Sequence, residues 1–462
     1  MRQRDLFWFW LPLFASWLLM TAEGPIISAV INRLPTEVVM LAAQGIVVSL
    51  SVTIESPIIN LLATSTALSK DRHSFLLLRR FTLHGMVLLT AVSVLIGFTP
   101  LFNLVVQHWM GAPAEVAQWV RPGLRIMALW SAAIAWRRFL QGVLIRFNQT
   151  GKVAWGTVVR LAASAGTVLF LAVVWGRQPA EVIAALAGQL PLLSPELPGV
   201  LAGATALMAG VIAEALYATI AVRPLLRREF GPTAPAADGP PLTYRQLFWF
   251  HLPLASTSVL ILFVQPIVAF SLARLEHPTE SLAAWPVVFQ VMLIMRAIAF
   301  ALPEVVIAQS NGEATWRPIR RFSLSLTAAS TLLMALLVFT PLLNLYLYGV
   351  QDVTPEVGAL ARSGLLLFLL LPGLAVLTSW LRGLLIKGRA TQWVNLGMVV
   401  NLLVTIAVLA GGMVGGWPGV NTAAVALVVA AAVELAYLWW HTHRLLEPAR
   451  KESWTGFTGL TG

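Results

Sequence analysis

Displaced by 241 residues, the chain overlays its own second half without a gap for about 150 positions. Leu6-Phe7-Trp8-Phe9-Trp10-Leu11-Pro12-Leu13 returns as Leu247-Phe248-Trp249-Phe250-His251-Leu252-Pro253-Leu254. Arg33-Leu34 returns as Arg274-Leu275, Arg79-Arg80-Phe81 as Arg320-Arg321-Phe322, and the Phe98–Leu104 segment as Phe339–Leu345. Whatever one half folds into, the other must fold into as well. In an apolar chain such a duplication is how many secondary transporters are built, with the solute site where the repeats meet.

The chain is apolar enough for that reading: 58% of its 462 residues are hydrophobic and 11% charged, outside the range of a soluble domain. Twelve windows are long enough to span ~30 Å of hydrocarbon as helices. They lie near residues 6–32, 38–66, 81–105, 121–144, 153–175, 199–222, 247–273, 282–308, 323–348, 358–386, 392–413 and 419–440. Barrel strands would instead be short and alternating. The expected fold is an all-α polytopic membrane protein of twelve transmembrane helices in two six-helix repeats. An even number of spans per half makes the repeats parallel, related by an axis along the membrane normal. The expected divisions are an N-lobe at 1–222, a linker at 223–246, a C-lobe at 247–445 and a tail at 446–462.

Arg and Lys crowd alternate connections: Arg2 and Arg4; Lys70, Arg72, Arg79 and Arg80; Arg146 and Lys152; Arg223, Arg227 and Arg228; Arg317, Arg320 and Arg321; Lys387 and Arg389; Arg444, Arg450 and Lys451. Positive-inside bias places these connections, both termini and the linker in the cytoplasm, with the cell (inner) membrane as the expected location. Trp8, Trp10 and Trp249 fall at that boundary, where aromatic belts anchor. The first window is too long for a cleaved signal peptide and recurs at the head of the second half. The register changes once, because Glu214-Ala215-Leu216-Tyr217 matches Glu434-Leu435-Ala436-Tyr437 at a shift of 220. The first half therefore carries extra residues within 176–198, of which Ala180 to Leu190 reads equally as a short interfacial helix or a loop.

Several functions are excluded by what is missing. There is no cysteine, and histidine is scarce and without ligand spacing, so no metal site is expected. No Walker-type glycine loop occurs, so ATP is not hydrolysed by this chain, and no Ser/His/Asp set can be assembled. The charge of +11 is dispersed over alternate connections and not gathered for nucleic acid. The expectation is no enzyme, no resident cofactor, a small-molecule substrate within a lipid bilayer, and possible coupling to an H+ or Na+ gradient.

An ionisable group at membrane depth costs roughly 2.5–3.5 kcal/mol on insertion scales and marks a candidate site. Eight stand out: Glu23, Glu55, Arg125, Arg160, Glu214, Arg296, Glu304 and Glu434. Arg160 and Glu214 lie at matching depth on consecutive helices, which suggests a structural pair. Asn401 replaces Arg160 in the second half, so Glu434 is expected to lack a cation and becomes a candidate for proton coupling. Glu55 and Arg296 share one repeat position with opposite charges and are expected to face each other across a central cleft. Glu23 has no acidic counterpart, and the shared Pro25 and Pro266 predict kinks beside it and its equivalent; Pro57 and Pro303 interrupt two further helices. The expected cavity residues are Glu23, Glu55, Arg296, Glu304 and Gln265, with Glu23 and Glu434 as ion or proton coupling candidates.

The loop Leu68-Ser69-Lys70-Asp71-Arg72-His73 lacks the glycines of the major facilitator signature. By contrast, Leu381-Arg382-Gly383-Leu384-Leu385-Ile386-Lys387-Gly388-Arg389-Ala390-Thr391 resembles the Arg-Gly … Gly-Arg-Thr segment of the multidrug/oligosaccharidyl-lipid/polysaccharide (MOP) flippase superfamily, which includes the MATE exporters. Leu140-Gln141-Gly142-Val143-Leu144-Ile145-Arg146 is its first-half echo. Leu11-Pro12-Leu13, Asn32-Arg33 through Met40-Leu41-Ala42, Ser69-Lys70-Asp71-Arg72, Pro266-Ile267-Val268 and Arg274 most resemble the progressive ankylosis (ANK) proteins of that superfamily. The resemblance implies a V-shaped pair of lobes around a central cavity. It also implies export of a small anion, or, by the MATE likeness, of organic cations against Na+ or H+. Arg125, Arg160 and Arg296 favour an anionic or amphipathic solute moved by alternating access. A lipid-linked flippase would show a lateral opening between helices 1 and 8, and a non-transporting scaffold a dry, closed interface.

The alternating charge predicts a cytoplasmic linker. A single cysteine placed at Ala236, in a chain with none of its own, should react with an impermeant thiol reagent in inverted vesicles and stay silent in right-side-out ones; the reverse pattern would invert the topology.

Overall fold

In the computed structural model, residues 2–177, 198–231, 240–310, 313–388 and 390–455 are described. The expected interfacial segment Ala180 to Leu190 lies outside them. Twelve helices run in the order the hydropathy predicts: α1 Gln3–Ile31, α2 Glu37–Leu68, α3 Arg72–Phe98, α4 spanning 114–146, α5 Thr150–Arg177 and α6 Gly199–Glu229. The second half repeats them as α7 Tyr244–Leu272, α8 Pro278–Gln309, α9 Glu313–Phe339, α10 Pro355–Lys387, α11 Thr391–Gly415 and α12 Gly419–Thr455. Among the described residues the single β contact is an isolated bridge between Glu276 and Pro418. Eleven of the helices are apolar and long enough to cross a bilayer. The exception is α4, which carries Arg121, Arg125, Arg137 and Arg138, although it matches α10 residue for residue. The expected linker is partly helical: α6 continues to Glu229, α7 starts at Tyr244, and α12 takes in 446–455 of the expected tail.

Proline sets the breaks. α1 is interrupted at Ala22 and α7 at Phe263, the same repeat position. Pro25 and Pro266 have no N–H for the carbonyls of Thr21 and Leu262, so the hydrogen-bond ladder fails there. α2 breaks again at the 3-10 turn Ser56–Ile58, and α8 at Ala301 before Leu302–Gln309.

These breaks let α1 and α7 cross between the lobes. The second segment of α1 packs on α5 and α6, but its first segment lies along α8 and α9 of the other half. Leu6 and Trp10 are buried in the C-lobe core with Ile298, Val305 and Phe322. The first segment of α1 also touches α5 of its own half, so it bridges the two lobes. The exchange is reciprocal. Trp10 Nε1 donates to the Ile298 carbonyl at 3.2 Å, and His251 Nε2, at the equivalent place on α7, donates to the Pro57 carbonyl at 2.9 Å. The Pro57 carbonyl lies within the break of α2 and the Ile298 carbonyl just before that of α8. Thr64 completes the second tie, its hydroxyl 2.8 Å from His251 Nδ1.

The central seam is α2 against α8, where the side of Gly45 meets Pro286. Within the N-lobe, α2 and α4 touch through Gly142: a Cβ there would come 2.5 Å from the Leu62 carbonyl and 2.6 Å from Ser65 Cβ. The neighbour is backbone and cannot yield. Gly142→Ala should therefore lower stability by about 1–3 kcal/mol, read as earlier thermal unfolding in detergent. Gly166→Ala, with nothing within 4 Å of its added carbon, should be neutral or slightly stabilising; equal effects at both sites would refute the close packing.

Candidate functional site: a central cavity with one-sided charge

Between the lobes lies a cavity of about 540 Å³, within the range of small-molecule sites. Its wall is mostly apolar, with Ile27, Leu41, Val48, Trp130, Phe289 and Leu371 among the contributors. Five charged side chains reach it: Glu23, Arg160, Arg296, Arg382 and Glu434.

On the N-lobe side the charges are matched. Glu23 opens the second segment of α1, directly after the break, and faces α5. Arg160 grips it in a fork, Nε to Oε2 at 3.0 Å and Nη2 to Oε2 at 2.5 Å, and Ser164 donates to its Oε1. Glu214, fully buried, is held instead by α4: Arg137 Nη1 reaches Oε2 at 2.5 Å and Gln141 Nε2 reaches Oε1 at 2.9 Å. Glu55 is buried within the same lobe, with Arg137, Arg138, Arg160 and Trp130 around it. Two carboxylate–guanidinium pairs, Glu23 with Arg160 and Glu214 with Arg137, thus form the buried charge cluster of this lobe, the form in which ionic groups persist at low dielectric. Glu55 and Arg138 lie beside them, each with a buried polar atom that has no hydrogen-bond partner.

The C-lobe keeps a reduced version. Glu434 receives Arg382 through Nε at 3.0 Å and through Nη2, and Asn401 donates to its Oε2 at 2.9 Å. Arg382 stands at the repeat position of Gln141, so the arginine has moved one helical turn along the equivalent helix. Arg137, Arg138 and Arg160 are replaced by Thr378, Ser379 and Asn401. Arg296 therefore has no acidic cluster to enter. It lies on the cavity wall over the Phe300 ring, 5.4 Å from its centroid, and its Nε has no hydrogen-bond partner. Among the described residues no carboxylate forms an ion pair with it.

Several sequence expectations change accordingly. Arg160 pairs with Glu23 and not with Glu214: α5 and α6 pack directly on each other, but Arg160 turns to Glu23 while α4 supplies Arg137 to Glu214. Glu434 does have a cation, Arg382. Glu55 and Arg296 do not face each other: Glu55 is buried within its own lobe and is not on the cavity wall, while Arg296 is. Glu304 is exposed on the second segment of α8 and is not part of the cavity wall. Arg125 donates to the Gly97 carbonyl at 3.1 Å, capping α3 away from the cavity. Gln265 lies on the wall and accepts from Trp285 Nε1 at 3.3 Å. Sequence reasoning missed Arg137, Arg138 and Arg382. The signal was present: Arg382 lies inside the Arg-Gly segment, one turn from the repeat equivalent of Arg137.

No family model matches the chain, and no curated protein does. Solved structures do match over nearly its whole length. It overlays an inward-facing multidrug resistance MATE family transporter of the MOP superfamily with a TM-score of 0.65 at 14% identity, covering 94% of this chain and 96% of that one. The lipid II flippase MurJ in an inward closed conformation gives 0.66 at 12% identity, covering 94% and 87%. A MOP superfamily transporter from Pyrococcus furiosus, described by the reverse polarity of its binding pocket, gives 0.60 at 13% identity, covering 96% of each. The fold is therefore that of MOP superfamily transporters: an integral membrane protein of two six-helix lobes.

Removing one partner from a buried pair strands the other charge, typically at about 3–5 kcal/mol. Arg160→Gln and Glu23→Gln should each lower the thermal unfolding midpoint, and the double variant should cost clearly less than their sum. The Arg160/Glu214 cycle should show a much smaller coupling. Equal coupling in both cycles would contradict the pairing described.

Proposed function

We propose that this chain is a secondary active transporter that moves a small anionic or amphipathic organic solute by alternating exposure of the cavity to the two sides of the membrane. The observation that carries the reading is Arg296: a guanidinium on an apolar cavity wall with no carboxylate of its own. Three arginines and two glutamates reach the cavity, which leaves one positive charge uncompensated. A desolvated cation is costly unless paired, and a solute anion is the partner the wall lacks. The apolar majority of the lining suits a solute with a hydrocarbon or aromatic body. The alternating Arg and Lys favour cytoplasmic termini in the cell (inner) membrane, and export is the direction the ANK resemblance implies. Glu23 is the natural coupling group: a proton on it would release Arg160, which also lines the cavity.

The competing readings have less support. A cation exporter needs a carboxylate free to receive its substrate, whereas Glu23 and Glu434 are each already held by an arginine. A flippase needs a lateral opening between α1 and α8, but Trp10 bonds to Ile298 there and Trp17 packs on Phe300 at 4.9 Å. A scaffold has no use for a charged cavity of this volume.

The full chain in proteoliposomes should accumulate one or both of citrate and taurocholate under an imposed proton or sodium gradient, and exclude tetraphenylphosphonium. Arg296→Gln should cut anion uptake at least about tenfold, the loss of roughly 1.4 kcal/mol of binding or more, while leaving the unfolding midpoint nearly unchanged. Gradient-driven movement of tetraphenylphosphonium without any anion would refute the reading.

A further inference from the structure

The end of the molecule away from the chain termini carries a second, symmetric arrangement that the cavity chemistry does not use. Each lobe ends there in a π-helical turn, Asn103–Trp109 in the first half and Leu345–Val350 in the second. Such a turn finishes with carbonyls that have no backbone N–H to receive. Arg274, in the connection after α7, crosses the seam and collects those of the first lobe. Its Nη2 donates to His108 O at 3.1 Å and Trp109 O at 2.7 Å, and its Nη1 to Met110 O at 2.7 Å. Arg33, its repeat equivalent after α1, does the same to the second lobe, with Nη1 to Val350 O at 3.0 Å and Nη2 to Gly349 O at 3.1 Å. The third carbonyl of that turn, Gln351 O, is taken by Asn32 Nδ2 at 2.7 Å. The carbonyls captured occupy the same repeat positions on the two sides. A cation at a helix C-terminus also gains from the partial negative charge there.

The second residue after each turn is left-handed and differs between the lobes. In the first it is Gly111, φ 69°, where a Cβ would stand 2.8 Å from Arg274 Nη1; in the second it is Asp352, φ 54°, whose carboxylate lies 3.8 Å from Arg33 Nε. Glycine leaves Arg274 room to seat, and aspartate adds a charge partner for Arg33.

The clasp roofs the cavity. Ser28 and Gln290 line the cavity wall, and Ser28 Oγ lies 2.9 Å from Gln290 Oε1 and 2.8 Å from Gln351 Oε1. Gln351, fully buried, also donates from Nε2 to the Pro25 carbonyl at 3.1 Å, across the seam. A solute leaving the cavity toward this end must part these groups and the two arginines above them.

Resting on the reading of the chain as an alternating-access carrier, we propose that Arg33 and Arg274 are its gate residues on the side away from the termini, holding that mouth shut here and releasing the π-turn carbonyls together when it opens. They touch neither the cavity nor the charge cluster, so they act on which state is populated and not on solute chemistry.

The chain has no cysteine, so one introduced thiol reports alone. Val48→Cys puts it on the cavity wall. An impermeant maleimide applied to full-length protein in vesicles, from the side away from the termini, should label this background slowly. Arg33→Gln and Arg274→Gln should each speed labelling several-fold and the double variant at least about tenfold, whereas Arg33→Lys, which keeps the charge and loses the fork, should fall between. Spin labels at Pro35→Cys and Glu356→Cys, both exposed on the two sides of this mouth, should show a longer-distance population in the same variants. The lysine variant and the distance measurement stand even if a glutamine variant fails to fold. Unchanged labelling and unchanged distances in folded variants would overturn the proposal while leaving transport intact. Faster labelling in a chain that moves no solute would uphold the clasp and remove the transport reading alone.

Discussion

A charge at membrane depth must find its opposite inside the protein, and that requirement orders this molecule. In the N-lobe, Glu23 is held by Arg160 and Glu214 by Arg137, with Glu55 and Arg138 beside them. The second lobe has the same helices but Thr378, Ser379 and Asn401 where those arginines stand. Only Arg382, one turn further along, answers Glu434. The repeat architecture supplies two equivalent walls, and a handful of substitutions makes one neutral and the other positive. The character of the cavity is the difference between the two walls.

Backbone chemistry supports the same asymmetric cavity with symmetric devices. Prolines break α1, α2, α7 and α8, and donors from the opposite lobe meet carbonyls near two of the breaks. Trp10 on Ile298 and His251 on Pro57 tie the lobes at the basic end; Arg274 and Arg33 tie them at the other. Tryptophan and histidine differ in size and titration, yet each offers a ring N–H at the same height. The repeat therefore tolerates a change of residue where only a donor is needed.

The parts of this architecture legible in the sequence are those that depend on one segment at a time. Twelve helices follow from runs of apolar residues, and the breaks at Ala22 and Phe263 follow from prolines three positions on. Even α4, which carries several arginines, has its window at 121–144, and the repeat places it opposite α10. Partners are another matter. Each residue turns about 100° around a helix, so equal depth does not mean a shared face. Arg160 and Glu214 are level, but the neighbour that decides is α4, which no reading of α5 and α6 contains. Glu55 and Arg296 occupy one repeat position, but the first is buried within its own lobe and the second lies on the cavity wall. The cationic wall was within reach only by comparing three helices of each half at once.

Because the lobes are related by an axis along the membrane normal, Glu55 and Arg296, or Glu214 and Glu434, stand at the same depth on either side of the cavity. The imbalance between the lobes is therefore a dipole lying in the plane of the bilayer. The transmembrane potential acts along the normal and does work only on charge that changes depth. Lobes that rock while keeping their own ion pairs carry little charge through that field. The voltage sensitivity of a cycle run on this scaffold is then that of the passenger and any coupling ion, and the protein itself is nearly transparent to the membrane potential.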